Sequence, residues 1–173
     1  ALAMADLDHF KHLNDTYGHD TGDRALRLFS QVVKDALRDS DIVSRHGGEE
    51  FVIILPHADV TSAAPVLHRI RSMLAEAIGA AQVPSFTVSI GLVDSTWSND
   101  LLSLLRSADR ALLEAKQQGR DRVIIDHTDG VADGGGSTTE PTEAIMTQSP
   151  TTATESAAPP ELPAPSAGSS VWS

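Results

Sequence analysis

The chain has 173 residues, of which 13 are Lys or Arg and 24 are Asp or Glu, giving a formal charge of −11. That balance lacks the basic excess of a non-specific nucleic-acid binder, and the absence of cysteine excludes disulfides and thiolate metal sites. No apolar run approaches the ~18–20 residues that span a bilayer, so no membrane contact is expected from this segment. Residues 1–126 carry all 13 basic residues against 18 acids, whereas residues 127–173 carry six acids and no Lys or Arg.

In chain order, residues 1–5 are apolar and end at Asp6, which predicts a buried strand delivering a carboxylate at its far end. They lack the basic start of a secretory signal, so none is expected. Residues 8–17 are polar and turn-rich, with Phe10 and Leu13 spaced for one helical turn. Thr21 is a fair helix N-cap, and Asp23 would complement the dipole in the first turn. From there Leu26, Phe29, Val33 and Leu37 recur at helical spacing.

Residues 42–46 and 51–55 are β-rich runs flanking Gly47-Gly48, a hairpin signal because glycine accepts the positive φ of tight turns. A helix is predicted from about Ser62, with Leu67, Ile70, Leu74 and Ile78 on one face, Gly79 as its stop, and Pro65 in its first turn. Residues 86–93 read as a strand. Leu101, Leu105, Ala108, Leu112 and Ala115 line a further helix that ends at Gly119, and residues 122–125 read as a last strand. Beyond residue 126 the chain is rich in Gly, Ser, Thr and Pro and poor in large apolar residues, so it is read as a disordered acidic tail. Strands alternating with helices around one hairpin predict an α/β domain over residues 1–126, with one mixed sheet covered by helices.

The chemistry concentrates at two places, Asp6-Leu7-Asp8-His9-Phe10-Lys11 and Gly47-Gly48-Glu49-Glu50-Phe51. If the first strand lies beside the hairpin, Asp6 and Glu49 converge at one sheet edge. Adjacent carboxylates repel unless a cation lies between them. Magnesium suits such a place, since it takes oxygen ligands and keeps one or two protein carboxylates plus substrate phosphates. The glycines would let a nucleotide approach the backbone closely. Spacing alone leaves open a solvated acidic hairpin and a metal-holding one.

The resemblance goes further. Gly47-Gly48-Glu49-Glu50-Phe51 resembles the signature of the GGDEF family of diguanylate cyclases, in its GGEEF form. The stretch from Asp6 to His19 with Gly22-Asp23, the run Thr87-Val88-Ser89-Ile90-Gly91, and the run from Ala108 to Lys116 with Gly119-Arg120 resemble three other family segments in the same order. One departure is Leu113, where the family usually has Tyr. Family members also usually begin some tens of residues upstream with a helix, so one sheet face is expected to lack its usual cover and the activity of the chain as given to be reduced.

This resemblance implies a ferredoxin-like, cyclase-palm fold with a mostly antiparallel sheet. It implies magnesium, or manganese, held by Asp6, the carbonyl of Leu7 and Glu49, with Glu49 and Glu50 at the catalytic position. Asn14 and Asp23 would recognise guanine, against a turn residue and a first-turn helix acid as their plain alternatives. Lys11, Lys116 and Arg120 would neutralise phosphates, and Phe10, Gly47 and Gly48 would lie at the substrate. Arg38 and Asp41 resemble the family's RxxD site for inhibitory product. The implied reaction condenses two GTP into cyclic di-GMP at a two-fold dimer, in the cytoplasm whether or not the parent protein is tethered to a membrane. The alternatives are an inactive receptor for GTP or cyclic di-GMP and a ligand-free dimerisation domain. His9, His12 and His19 are assigned no role.

Overall fold

Strand β1 (Leu2–Leu7) occupies the middle of a five-stranded sheet, which its six consecutive buried residues require: a strand with both faces covered has no polar alternation. It pairs antiparallel with β3 (Glu50–Ile54) on one side and with β4 (Val88–Val93) on the other. Strand β2 (Ile42–Gly47) forms the hairpin with β3, and β5 (Val123–Asp126) adds parallel to β4. The order β2-β3-β1-β4-β5 is that of a mostly antiparallel, ferredoxin-like sheet. The computed structural model describes residues 1–96 and 98–126. The tail expected over 127–173 lies outside the described residues.

Alternation along β1 assigns the two faces. Ala3, Ala5 and Leu7 point with Phe51, Ile53, Val88 and Ile90 towards α1 (Phe10–Tyr17), α2 (His19–Ala36) and α3 (Val60–Ala80). Phe29 of α2 is fully buried there and meets Phe51 edge to face, with ring centroids 4.9 Å apart. Burying such a ring contributes about 1.5–3 kcal/mol. Leu2 and Met4 point the other way, against Leu104, Ala108 and Leu112 of α4 (Leu101–Gln117). Helix α4 rests almost directly on the sheet: a Cβ at Gly91 would lie 2.1 Å from the Ala108 carbonyl oxygen and 2.3 Å from the Leu112 nitrogen.

Four local expectations need correction. Residues 10–17 are a helix rather than a single turn, because burying both Phe10 and Leu13 stabilises the full element. Helix α2 starts at His19 with Gly18 as N-cap, and the Thr21 hydroxyl bonds back to the Tyr17 carbonyl at 2.9 Å instead of capping. Helix α3 starts at Val60, its cap being Asp59, whose carboxylate accepts the Ser62 N–H at 2.8 Å. Pro65 therefore falls in the second turn. Proline there deprives the Thr61 carbonyl of its i+4 donor, but Thr61 and Pro65 are both exposed, so water can replace the lost bond. Helix α3 also runs through Gly79 to Ala80. Among the described residues no helix is long and apolar enough to cross a membrane.

Candidate functional site

The pairing of β1 with β3 places Asp6 directly opposite Glu50, and the Leu7 N–H donates to the Glu49 carbonyl at 3.3 Å. The strand therefore carries its acid to the hairpin tip, as the sequence suggested. Gly48 turns the chain there with φ 44°, and the Arg45 guanidinium donates to the Gly48 carbonyl through Nε at 2.7 Å and through a second nitrogen. The tip is thus closed by a side chain from β2.

Asp6 is 6% exposed. Burial pushes its carboxyl above the usual range, and the charges of Glu49 and Glu50 add to the rise. Lys116, near the end of α4, works against it with its ammonium 2.9 Å from Asp6 Oδ2. A buried acid facing two more acids is a place where a cation is favoured. Among the described residues no three or more acidic or imidazole side chains converge as a ready-made metal cage. The residues that could hold such an ion, Asp6, the Leu7 carbonyl and Glu49, would make a small, oxygen-only donor set. That fits magnesium, which takes the rest of its shell from phosphates and water.

Asn14 lies on α1 facing the start of α2. Its Oδ1 is buried with no hydrogen-bond partner, the only such side-chain atom identified among the described residues. It fits because position 22 has no side chain: a Cβ on Gly22 would sit 1.9 Å from Asn14 Oδ1 and 3.1 Å from Phe10 Cζ. Orphaned buried acceptors are uncommon and cost stability, so this oxygen could take a donor from outside the chain. Asp23, the next residue, lines a groove of about 500 Å³ with Arg27, Lys34 and Arg45. Phe10 itself is 8% exposed and belongs to the core. Its ring lies against Gly22, so the ring is not an open contact surface.

Lys11 is exposed in the first turn of α1. That helix has no side-chain cap, its N-cap His9 being in the left-handed conformation with φ 57°. The early N–H groups of Phe10 and Lys11 thus add to the positive character of the place. Arg120 stands beyond α4 with its Nε 4.0 Å from Asp8 Oδ1. Lys116 and Arg120 thus lie beside Asp6 in β1 and Asp8 just past its end. Arg38 and Asp41 form a closed turn between α2 and β2, in which Asp41 Oδ2 accepts the Arg38 N–H at 2.9 Å and the Asp41 N–H donates to the Arg38 carbonyl at 2.9 Å. The Arg38 side chain is exposed.

Three residues of this region were given no individual role by the sequence. Gly22 and Arg45 matter only through tertiary contacts. Asp8 is 3% exposed and accepts from the Thr87 and Ser89 hydroxyls at 2.7 Å each and from the Asp121 N–H at 3.2 Å. The alternation Asp6-Leu7-Asp8 could have suggested a second inward acid, but not its partners from β4 and the final loop.

The family profile described as "Diguanylate cyclase, GGDEF domain" matches residues 1–122. Diguanylate cyclase DgcM of Escherichia coli is 38% identical over 124 residues, covering 72% of this chain and 30% of that protein. The chain thus spans less than a third of that relative's length. Among solved structures, diguanylate cyclase SiaD of Pseudomonas aeruginosa in complex with its activator SiaC is 38% identical with a TM-score of 0.68, over 72% of this chain and 49% of that one. The GGDEF domain of DgcB from Caulobacter crescentus, solved with c-di-GMP, is 32% identical with a TM-score of 0.65, over 72% and 75% of the two chains.

Proposed function

This chain belongs to the GGDEF domain family of diguanylate cyclases, and from that premise we propose that it condenses two GTP molecules into cyclic di-GMP with release of two pyrophosphates. The observation that carries the proposal is the buried Asp6 carboxylate, opposed to Glu50 and bonded to Lys116 at the hairpin tip. It joins acids that suit a divalent cation to a cation that suits phosphate.

In this reading Asn14 Oδ1 and the Asp23 carboxylate accept from the N–H edge of guanine, which adenine lacks in that arrangement. Lys11, Lys116, Arg120 and the uncapped N–H groups of α1 take the triphosphate oxygens. Gly47 and Gly48 leave room for the nucleotide against the backbone. Asp6, the Leu7 carbonyl and Glu49 would hold magnesium or manganese, which when bound offsets phosphate charge and makes the 3′-hydroxyl more acidic. The 3′-oxygen of one GTP attacks the α-phosphorus of the other, the bond to pyrophosphate breaks, and Glu49 or Glu50 is on hand for the released proton. A second identical attack closes the ring. Lys116 and Arg120 stabilise the charge that grows on the phosphates as each bond breaks. One chain holds one GTP in this scheme, so two chains must meet face to face about a two-fold axis.

The Arg38–Asp41 turn is the proposed site for product, where the guanidinium would engage phosphate and guanine. The complex of the related DgcB domain with c-di-GMP supports product binding in general, and it also favours a second reading of this chain as a receptor. A cytoplasmic location, where GTP is at hand, accompanies both. Incubation with GTP and magnesium separates them. Cyclic di-GMP formation supports the cyclase, binding of GTP or cyclic di-GMP without turnover supports the receptor, and binding of neither refutes both.

A further inference from the structure

We propose that Asp8 is a positioning residue that holds the loop bearing Arg120, and so fixes that guanidinium for the nucleotide's phosphates. The proposal rests on the assignment of Arg120 to phosphate made above.

After α4 the chain passes through three successive residues of positive φ: Gly119 at 110°, Arg120 at 62° and Asp121 at 48°. Glycine tolerates this conformation, whereas arginine and aspartate adopt it only when their surroundings impose it. Here the surroundings do so from both sides. On the outside, Arg71 of α3 forms a salt bridge to the Asp121 carboxylate at 2.7 Å and also bonds the Asp121 carbonyl. On the inside, Asp8 Oδ2 accepts the Asp121 N–H at 3.2 Å, and Asp8 Oδ1 lies 4.0 Å from Arg120 Nε. The carboxylate is itself fixed by the Thr87 and Ser89 hydroxyls at 2.7 Å each.

Asp8 is therefore bound on all sides by donors, and nothing about its arrangement suits it to hold a substrate. What it does is tie the end of β1, where Asp6 sits, to β4 and to the loop that presents Arg120. Charge and geometry act together: the acid sets the backbone of the turn and also attracts the guanidinium that the turn carries. Strain in such a turn is released when its partners are lost, and the side chain then samples other positions.

Two substitutions in the full chain separate these effects. Asp8→Asn keeps the shape and one acceptor for the Asp121 N–H, but its NH₂ faces Arg120 as a second donor. Asp8→Ala removes the acceptor altogether. The probe is GTP with magnesium, with binding measured by calorimetry and Asp121 amide exchange measured by NMR. Asp8→Asn is expected to weaken GTP binding about 5- to 10-fold while melting close to wild type. In an Arg120→Ala background the same substitution should add almost nothing, because the residue through which it acts is gone. A merely structural role would add the same loss in both backgrounds. Asp8→Ala should speed Asp121 exchange at least 10-fold whether or not nucleotide binds. Unchanged or tighter GTP binding by Asp8→Asn, or equal losses in the two backgrounds, overturns the positioning role. Faster Asp121 exchange in Asp8→Ala with no GTP binding by the wild type would keep the clamp and refute the nucleotide assignment; unchanged exchange refutes the clamp itself.

Discussion

Replacing Gly22 by Ala should separate nucleotide affinity from stability. A Cβ at this position would lie 1.9 Å from Asn14 Oδ1, whereas ordinary contacts begin near 3.4 Å. The oxygen must therefore retreat by about 1.5 Å, three times the ~0.5 Å window within which an N–H···O bond keeps its length. The Asn14 amide would then leave the place where it can serve a guanine edge. Leaving that buried donor–acceptor pair unmade costs about 1–3 kcal/mol, or about 5- to 150-fold in Kd. Stability changes less, because overpacking of about 1–3 kcal/mol is offset by the ~1 kcal/mol that alanine gains over glycine within a helix. Gly79 in α3 supplies the control: a Cβ there meets nothing within 4 Å, so Gly79→Ala should stabilise by about 0.4–1 kcal/mol without touching GTP binding. Calorimetric titration with GTP and differential scanning calorimetry of the three proteins test this. Gly22→Ala binding GTP within twofold of wild type would refute the reasoning.

Other outcomes bear on the same site. Glu49→Ala should abolish cyclic di-GMP formation while the protein still melts cooperatively, and turnover within a few-fold of wild type would remove Glu49 from the mechanism. Asn14→Ala and Asp23→Ala should each weaken GTP binding by about 1–3 kcal/mol, and equal binding of ATP and GTP by the wild type would contradict the base assignment. Arg38→Ala should remove inhibition by added cyclic di-GMP; equal inhibition in variant and wild type would contradict the product site. Asp6 fixes a pH dependence. Burial holds its folded carboxyl above the usual aspartate range, so its contribution to stability is fully present below the unfolded value and is lost as pH rises through the folded one. Added magnesium should therefore raise Tm more at pH 7 than at pH 5 if Asp6 holds the ion, and an equal rise at both would count against it.

The parts of this molecule that were legible in the sequence were those written in local pattern. The apolar run before Asp6, the glycine pair between two β-rich runs and the apolar stripe from Leu26 to Val33 each announced an element that is present. Ends were harder, because competing caps are close in energy: Gly18 starts α2 where Thr21 was expected, and the Asp59 carboxylate starts α3 early enough to leave Pro65 in the second turn. The juxtaposition of Asp6 with the hairpin could be foreseen from strand pairing. The roles of Gly22 and Asp8 could not, since one depends on where Asn14 folds over α2 and the other on donors drawn from β4 and from a loop 113 residues away.

The bare contact at Gly91 has a consequence beyond packing. Helix α4 is seated on the sheet backbone to backbone, and the same helix carries Lys116 in its last turn and leads on to Arg120. Its height over β4 is thus a mechanical datum for both cations. Any side chain at position 91 would act as a shim, lifting the helix and drawing the Lys116 ammonium away from Asp6. If Lys116 and Arg120 hold phosphate as proposed, their grip would be gauged from within the sheet, by a position that offers no chemistry of its own.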